Sequence, residues 1–252
     1  MARKARRRLP LGARAYLEGG SEDESTLRRN RAAFGNLEFL PVQPRNVSEV
    51  DTSTTLLGQR VPLPFVLSPT VSFPNIGPPD QRSLRKITGM FDGTVSWADL
   101  EWIRELWDGP ILAKGVLRPE EAIEAAEHGL DGVIVSNHGG RQLDHLPATI
   151  DVLPRIVDAV GDRMEVLVDS GFRRGSDIVT ALAFGARAVL LGRAHLYGLA
   201  AAGEAGVRHC IDILTHELRM TMQMCGATTI ADLNPSLLRR GDGAGSSPGA
   251  AA

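Results

Sequence analysis

A chain of 252 residues with 43% apolar and 23% charged side chains and a formal net charge of −2 has ordinary globular composition. That length allows one sizeable core or two small ones, and the near-neutral balance gives no electrostatic case for binding nucleic acid. No apolar stretch approaches the ~20 residues needed to span a bilayer, and no apolar run follows the N-terminal basic residues, which argues against a secretory signal.

Residues 1–50 read as a small helical segment. Its basic run, Arg3, Lys4, Arg6, Arg7 and Arg8, is expected as the solvated face of a first helix. Docking on the anionic inner face of the cell membrane is the alternative. A second helix runs from Leu9-Pro10 through Tyr16 and Leu17 to a stop at Gly19-Gly20. Ser21 followed by Glu24 fits a capping box that would open a charged helix towards Phe34. Residues 51–70 hold two stretches, 52–57 and 64–69, expected as strands, the second a short apolar run bounded by prolines. Residues 71–95 carry Pro74, Gly77, Pro78, Pro79, Gly89 and Gly93 without a period, and read as a long loop. So long a structureless stretch inside a domain is itself unusual.

From Ser96, the expected N-cap of a helix over 97–107, the pattern is regular. Strands are expected at 110–115, 132–136, 166–169 and 188–193, alternating with helices from Pro119, at 150–160 and at 176–184. Helices then run to about Leu238, and 239–252 is a Gly/Ser/Ala/Pro-rich tail expected to be disordered. Short apolar strands alternating with helices mean parallel βαβ units. Lys114, Ser136, His138, Asp169, Gly192 and Arg193 all fall at strand C-terminal ends, where β/α barrels place their sites. A doubly wound open sheet binds ligands there too, so both architectures stay open at this point. Cys210 and Cys225 lack metal-ligand spacing and read as buried free thiols of a reducing, cytoplasmic compartment. No metal site is expected.

Two stretches carry chemistry. Asp169-Ser170-Gly171-Phe172-Arg173-Arg174-Gly175 and Gly192-Arg193 fit a phosphate site made of backbone N–H groups, a helix N-terminus and guanidinium donors. Two ordinary loops with surface arginines are the alternative. Ser136-Asn137-His138-Gly139-Gly140-Arg141-Gln142-Leu143-Asp144 is sharper. A histidine just past a buried strand and before two glycines has little packing to do, and imidazole is the side chain most readily tuned as a base near neutral pH. Arg141 can clamp a carboxylate bidentately. Lys114 at the end of an apolar strand either meets an anion or snorkels to water.

These stretches, with Leu191-Gly192-Arg193, resemble the signature of the FMN-dependent α-hydroxy acid dehydrogenases and oxidases, a family of (β/α)8 barrels. Arg14 to Gly20 and Leu199 to Gly206 are most similar to its lactate and mandelate dehydrogenases. The resemblance covers about residues 8–70 and 73–238. It implies FMN as cofactor and a small L-2-hydroxy acid as substrate. The electron acceptor would be oxygen, a quinone or a cytochrome, and a homo-oligomer is expected. By position it implies His138 as the base, with Arg141 and Tyr16 on the substrate carboxylate. Lys114 would lie beside the flavin N1 side, and Ser136, Pro69 and Thr70 would contact the ring. Asp169, Ser170, Gly171, Phe172, Arg173, Gly192 and Arg193 would hold the ribityl chain and phosphate.

The chain departs from this pattern after Thr70. Only five of eight expected barrel strands are present, the second, third and fourth being absent. With them go a serine and a glutamine near the flavin, a tyrosine, the aspartate that orients the histidine, and a second substrate-binding arginine. The expected fold is therefore α/β, a TIM-type barrel truncated to about five parallel strands with an N-terminal helical cap. Three functions compete: a 2-hydroxy acid dehydrogenase, a catalytically impaired FMN- or phosphate-binding truncated barrel, and another phosphate-binding barrel enzyme.

Overall fold

The computed structural model describes residues 1–42, 45–68 and 94–241. Three helices come first: α1 (Ala2–Arg8), α2 (Leu11–Glu18) and α3 (Ser25–Ala32). A 3-10 turn (Ala33–Asn36) leads into β1 (Leu37–Phe39). A tight hairpin follows, β2 (Thr54–Leu56) with β3 (Gln59–Val61), turning on the left-handed pair Leu57 and Gly58. Next come β4 (Phe65–Leu67), α4 (Asp99–Leu106), β5 (Leu112–Val116), α5 (Pro119–Glu127) and β6 (Gly132–Val135). They are followed by α6 (Thr149–Val160), β7 (Glu165–Val168), α7 (Gly175–Ala183) and β8 (Ala188–Leu191). Last are α8 (Arg193–Cys225), kinked at Ala202 and Gly203, and β9 (Leu238–Arg240).

Five strands form one parallel sheet in the order β4-β8-β7-β6-β5. The first strand therefore lies against the last, with the others following in reverse chain order, which is the neighbourhood of a barrel. The two faces also differ. Outward side chains, Val133, Val135, Val166, Val168, Val189 and Leu191, pack in one core with the helices. Inward ones, Leu167, Ala188 and Leu190, cluster with Leu112, Ile134 and the hairpin residue Leu56, and with no helix among the described residues. A doubly wound sheet would have helices on both faces, so that alternative is removed. Among the described residues β4 and β5 are the two free edges, where the absent strands would pair.

The outer core is filled by helix stripes at three- and four-residue spacing. On α6, Ile150, Leu153, Ile156 and Val160 are all fully buried, each contributing about 1.5–3 kcal/mol by transfer from water. α7 lies against α8 so closely that a Cβ at Gly175 would stand 2.2 Å from the Leu218 nitrogen.

Four sequence expectations need correction. Ser21 and Glu24 form no capping box: α3 starts at Ser25, its N-cap Glu24 is left-handed, and no side chain of that residue caps it. The helix expected at 97–107 begins at Asp99, with Ser96 donating its backbone N–H to the Asp99 carboxylate rather than capping. The strand expected at 52–57 is half of a hairpin whose second strand was not foreseen. Residues 239 and 240 are ordered in β9, antiparallel to β1. The rest of the expected tail beyond Gly241, and nearly all of the expected loop at 71–95, lie outside the described residues.

The empty N-cap of α3 is filled from a distance. Asp144, 2% exposed, accepts hydrogen bonds from the backbone N–H of Ser25 (3.0 Å) and Thr26 (2.7 Å) and from the Ser25 hydroxyl (2.9 Å). These are donors a helix leaves orphaned at its first turn. Burial works against the charge, but the Thr26 and Ser25 donors outweigh it and hold the Asp144 carboxyl far below the ordinary 3.8.

Two predictions follow from packing and capping. Gly175→Ala must displace backbone on α8 and should destabilise by about 1–3 kcal/mol in urea unfolding. Gly35→Ala, with no atom within 4 Å of the added carbon, should stay within about 0.5 kcal/mol. Asp144→Ala should release α3 first, read as faster amide exchange over 25–32. Because the folded-state pKa is depressed, the carboxylate's contribution is complete above pH 3.8 and is withdrawn as pH falls below it. The variant and parent should therefore converge in acid, and a gap that widens there contradicts the assignment.

Candidate active site at the strand C-termini

Strand alternation builds the floor of the site. On each strand the inward apolar residue is followed two positions later by another inward residue. Leu112 leads to Lys114, Ile134 to Ser136, Leu167 to Asp169 and Leu190 to Gly192, with Val66 leading to Ser68 on β4. The first three meet. Lys114 Nζ lies 2.8 Å from Ser136 Oγ and 3.0 Å from Asp169 Oδ2. The anion that Lys114 requires is thus supplied within the chain. Ser170 donates its hydroxyl to Asp169 Oδ1 (2.7 Å) and accepts the Gly139 backbone N–H (3.0 Å).

Beyond β6 the chain takes three successive left-handed residues, His138 (φ 54°), Gly139 (φ 67°) and Gly140 (φ 73°). The strained one is His138, since a side chain is disfavoured there. Its backbone N–H is held by Ser136 Oγ at 3.1 Å. Glycine is required at 140, where a Cβ would fall 2.6 Å from the Leu27 nitrogen. Asn137 and Asn30 exchange reciprocal side-chain hydrogen bonds (2.8 and 2.7 Å), both buried. The loop thereby docks the N-terminal helices over the strand ends, and Ser21 donates its N–H to the Gly140 carbonyl.

His138 is exposed at this rim, and among the described residues no side chain hydrogen-bonds its ring. Partial burial of the imidazole, then the Lys114 cation, pushes its pKa below the usual 6.5, against a pull upward from Asp169. Arg141 and Tyr16, expected to share a ligand, stack on each other: the guanidinium carbon lies 4.5 Å from the ring centre. Arg141 makes one long hydrogen bond, 3.4 Å to the Leu17 carbonyl. Arg173 is half-buried, donates to the Phe172 carbonyl at 3.0 Å, and has its pKa lowered by burial and by Arg31 and Arg141. Arg193 is buried and pushed down to about 10 by burial, then by Arg141 and Arg173. Three guanidinium groups thus share one region and repel one another.

Gly192 is the N-cap of α8, and the position of a Cβ there is open space, so an anion can approach the backbone. The N-terminus of α7 is already occupied: Asp177 takes the N–H groups of Arg173 and Arg174, and Glu217 takes that of Gly175. Gly171 (φ 90°) lies against the Asn30 carbonyl and gives its own carbonyl to Arg31. The Phe172 side chain is 3% exposed and packs edge-on against Phe34 at 5.1 Å. Its side chain thus belongs to the core, and only its backbone remains at the site to meet a cofactor. Pro69 and Thr70 lie outside the described residues.

Sequence reading missed the partners that fasten the cap. Glu18 accepts from Arg6 (2.5 Å), Arg14 (3.1 Å) and Tyr197 (3.3 Å), and Asn30 and Asp144 act across more than 100 residues. No local pattern announces such pairs. Ser68, beside Gly192 in the inward layer, could have been found by the two-residue offset. Among the described residues there is no cluster of metal-binding side chains and no helix long and apolar enough to cross a membrane.

The family model described as FMN-dependent dehydrogenase matches residues 5–82 and 75–240. An L-lactate dehydrogenase of Chromohalobacter salexigens is 52% identical over 156 residues, 62% of this chain and 40% of that protein. A peroxisomal (S)-2-hydroxyacid oxidase of Arabidopsis thaliana is 53% identical over 149 residues, 59% of this chain and 41% of that protein. The match thus spans about 40% of the length of these curated relatives. An active chimera of (S)-mandelate dehydrogenase superposes with a TM-score of 0.85 at 29% identity, covering 95% of this chain and 98% of the other. A soluble mutant of the membrane-associated (S)-mandelate dehydrogenase from Pseudomonas putida gives 0.83 at 29%, covering 95% and 97%. A family match over nearly the whole described chain, on a sheet with barrel neighbours, shows that this chain belongs to the FMN-dependent dehydrogenase family.

Proposed function

We propose that the chain binds FMN at the strand C-termini and that the site is built to oxidise a small L-2-hydroxy acid of the lactate or mandelate class to the 2-oxo acid. The observation that carries this is the excess of cations. Lys114 has a carboxylate partner, whereas, burial apart, the Arg141 cation lowers the pKa of both Arg173 and Arg193, and Arg173 lowers that of Arg193 further. Such a cluster is relieved by anions, and FMN phosphate and a substrate carboxylate are two. The open space at Gly192 fits the first.

In this reading the phosphate is held by Arg173 and by the backbone N–H groups at the start of α8. Asp169 and Ser170 face the ribityl hydroxyls, and Lys114, fixed between Ser136 and Asp169, contributes positive charge beside the ring. When bound, FMN supplies a two-electron acceptor. Arg141, its guanidinium lying on Tyr16 and with most of its donors uncommitted, takes the substrate carboxylate and orients the hydroxyl-bearing carbon. His138, neutral at pH 7 because its pKa is depressed, takes one proton. In all, two electrons and two hydrogens leave the substrate.

A second reading has a specific observation in its favour. The His138 ring has no hydrogen-bonding partner among the described residues, and loss of an orienting carboxylate can cost orders of magnitude in rate. The chain would then grip flavin without turning over, and its free edges at β4 and β5 would favour self-association.

Titration of the purified chain with FMN should quench flavin fluorescence with a midpoint of tens of micromolar or tighter; a flat titration defeats both readings. Anaerobic L-lactate or L-mandelate should then bleach the bound flavin, and absence of bleaching selects the second. His138→Gln should slow bleaching by about 10²–10⁴-fold with FMN binding retained. Since the base is inactive when protonated and its pKa is lowered, bleaching should be level above pH 6.5 and decline only below it. A midpoint above 6.5 would remove His138 as the base.

A further inference from the structure

We infer that the side chain of Arg193 is a positioning strut for the substrate pair Tyr16 and Arg141, and that it does not hold the phosphate. The inference rests on the proposed reading of that pair as the carboxylate site. Each guanidinium nitrogen of Arg193 already donates to a backbone carbonyl. Nε reaches Leu17 O at 2.8 Å, Nη2 reaches Gly19 O at 2.8 Å, and Nη1 reaches Gly139 O at 3.0 Å. The residue is 7% exposed, so the carbonyls of buried Leu17 and of part-buried Gly19 and Gly139 would lose this donor if it turned away.

The three carbonyls come from two places that matter. Leu17 and Gly19 bracket the C-terminal end of α2, and Tyr16 is the residue before Leu17. Gly139 directly follows His138. One rigid fork therefore fixes the turn that carries the base and the helix end that carries Tyr16. The fit is close, because a Cβ at Gly139 would come within 2.8 Å of Arg193 Nη1. Lysine, a flexible point charge, cannot make this three-way contact.

Arg141 is the contrasting case. It shares the Leu17 carbonyl with Arg193, but at 3.4 Å and with no second hydrogen bond among the described residues. A carboxylate arriving at Arg141 gives up one long contact, while Arg193 keeps Leu17 in place. Strut and ligand are thus told apart by how many donors each has already committed.

The test compares the full chain with Arg193→Met and Arg193→Lys. Three quantities are followed: FMN affinity, the affinity of the flavin-loaded protein for pyruvate from the flavin absorbance change, and the rate of tryptic cleavage after Arg14. A strut predicts FMN affinity within threefold of the parent in both variants. It also predicts pyruvate binding weakened at least tenfold and cleavage accelerated at least tenfold, with lysine failing to rescue either. A tenfold loss of FMN affinity in the methionine variant that lysine restores, or an unchanged cleavage rate, overturns the inference. If the methionine variant does not fold by circular dichroism, the lysine variant, which keeps the cation, carries the same readings. Should the parent bind no FMN, the proposed function fails. Cleavage measured without flavin still decides the strut, acceleration supporting it and no change overturning it.

Discussion

The left-handed turn at 138–140 is the constraint on which the rest of this structure depends. Three residues in a conformation that L side chains avoid must be held from outside, and each is. Ser136 takes one N–H, Ser170 the next, and the Asn137 carbonyl the third. The outward carbonyls of Gly139 and Gly140 then face the N-terminal segment, where Arg193 and Ser21 donate to them. The same nine residues that look catalytic are therefore mostly fasteners. Asn137 and Asp144 reach α3, and Arg141 reaches α2. The His138 side chain has no hydrogen-bonding duty among the described residues. Strain at that position, supported on all sides, keeps the imidazole at the rim instead of in the core.

Electrostatics divides the site into a satisfied half and an unsatisfied one. Lys114, Ser136, Asp169 and Ser170 form a closed set in which each polar atom named has a partner at 2.7–3.0 Å. The arginines do not balance in this way. Asp177 is spent on Arg31 and on capping α7, and Glu18 is spent on Arg6 and Arg14. These two carboxylates thus have assigned cations or a helix end, Glu24 accepts the Gly20 N–H, and guanidinium charge is left over. Charge left over in a half-buried place costs stability, so its persistence in the fold is a physical argument for an anionic ligand rather than for an ornamental surface.

The parts of this architecture that could be read from the sequence are those with a short period. The apolar runs at 132–135, 166–168 and 188–191 are unbroken, and the two-step offset alone places Lys114, Ser136, Asp169 and Gly192 in one layer. The amphipathic stripe of α6 is equally legible. The failures share a cause, which is that a tertiary partner replaced a local one. Ser21 and Glu24 have capping spacing, yet Asp144 caps α3 from the other end of the chain. Phe172 sits inside a cofactor-like loop, yet Phe34 draws it into the core. β1 and β9 are each three residues long, and their pairing joins residues about 200 apart. Propensity within a window carries no information about such partners.

The absent strands bear unequally on the two tasks of the site. In the proposed reading the phosphate end would be assembled from the β7 and β8 ends and α8, both strands being paired on each side, with β8 lying between β4 and β7. The ring-facing end reaches β5, a free edge. That edge is blunted by its own sequence: Lys114 charges it, and Gly115 (φ 108°) shifts the register between Lys114 and Val116, two devices that discourage strand addition. At the other edge β4 is only three residues long, although Val66 there is 39% exposed, and beside β5 the helix α4 leaves Trp102 and Leu106 at 53% and 77%. Position at the ring side thus depends on strands lacking one neighbour, while position at the phosphate side does not. Binding energy for a flavin tail survives small shifts of its holders, whereas proton transfer to an imidazole fails with an error of about 1 Å. Under the proposed function, the grip on the phosphate is consequently the more robust of the two tasks, and chemistry is the one that the geometry of β5 would decide.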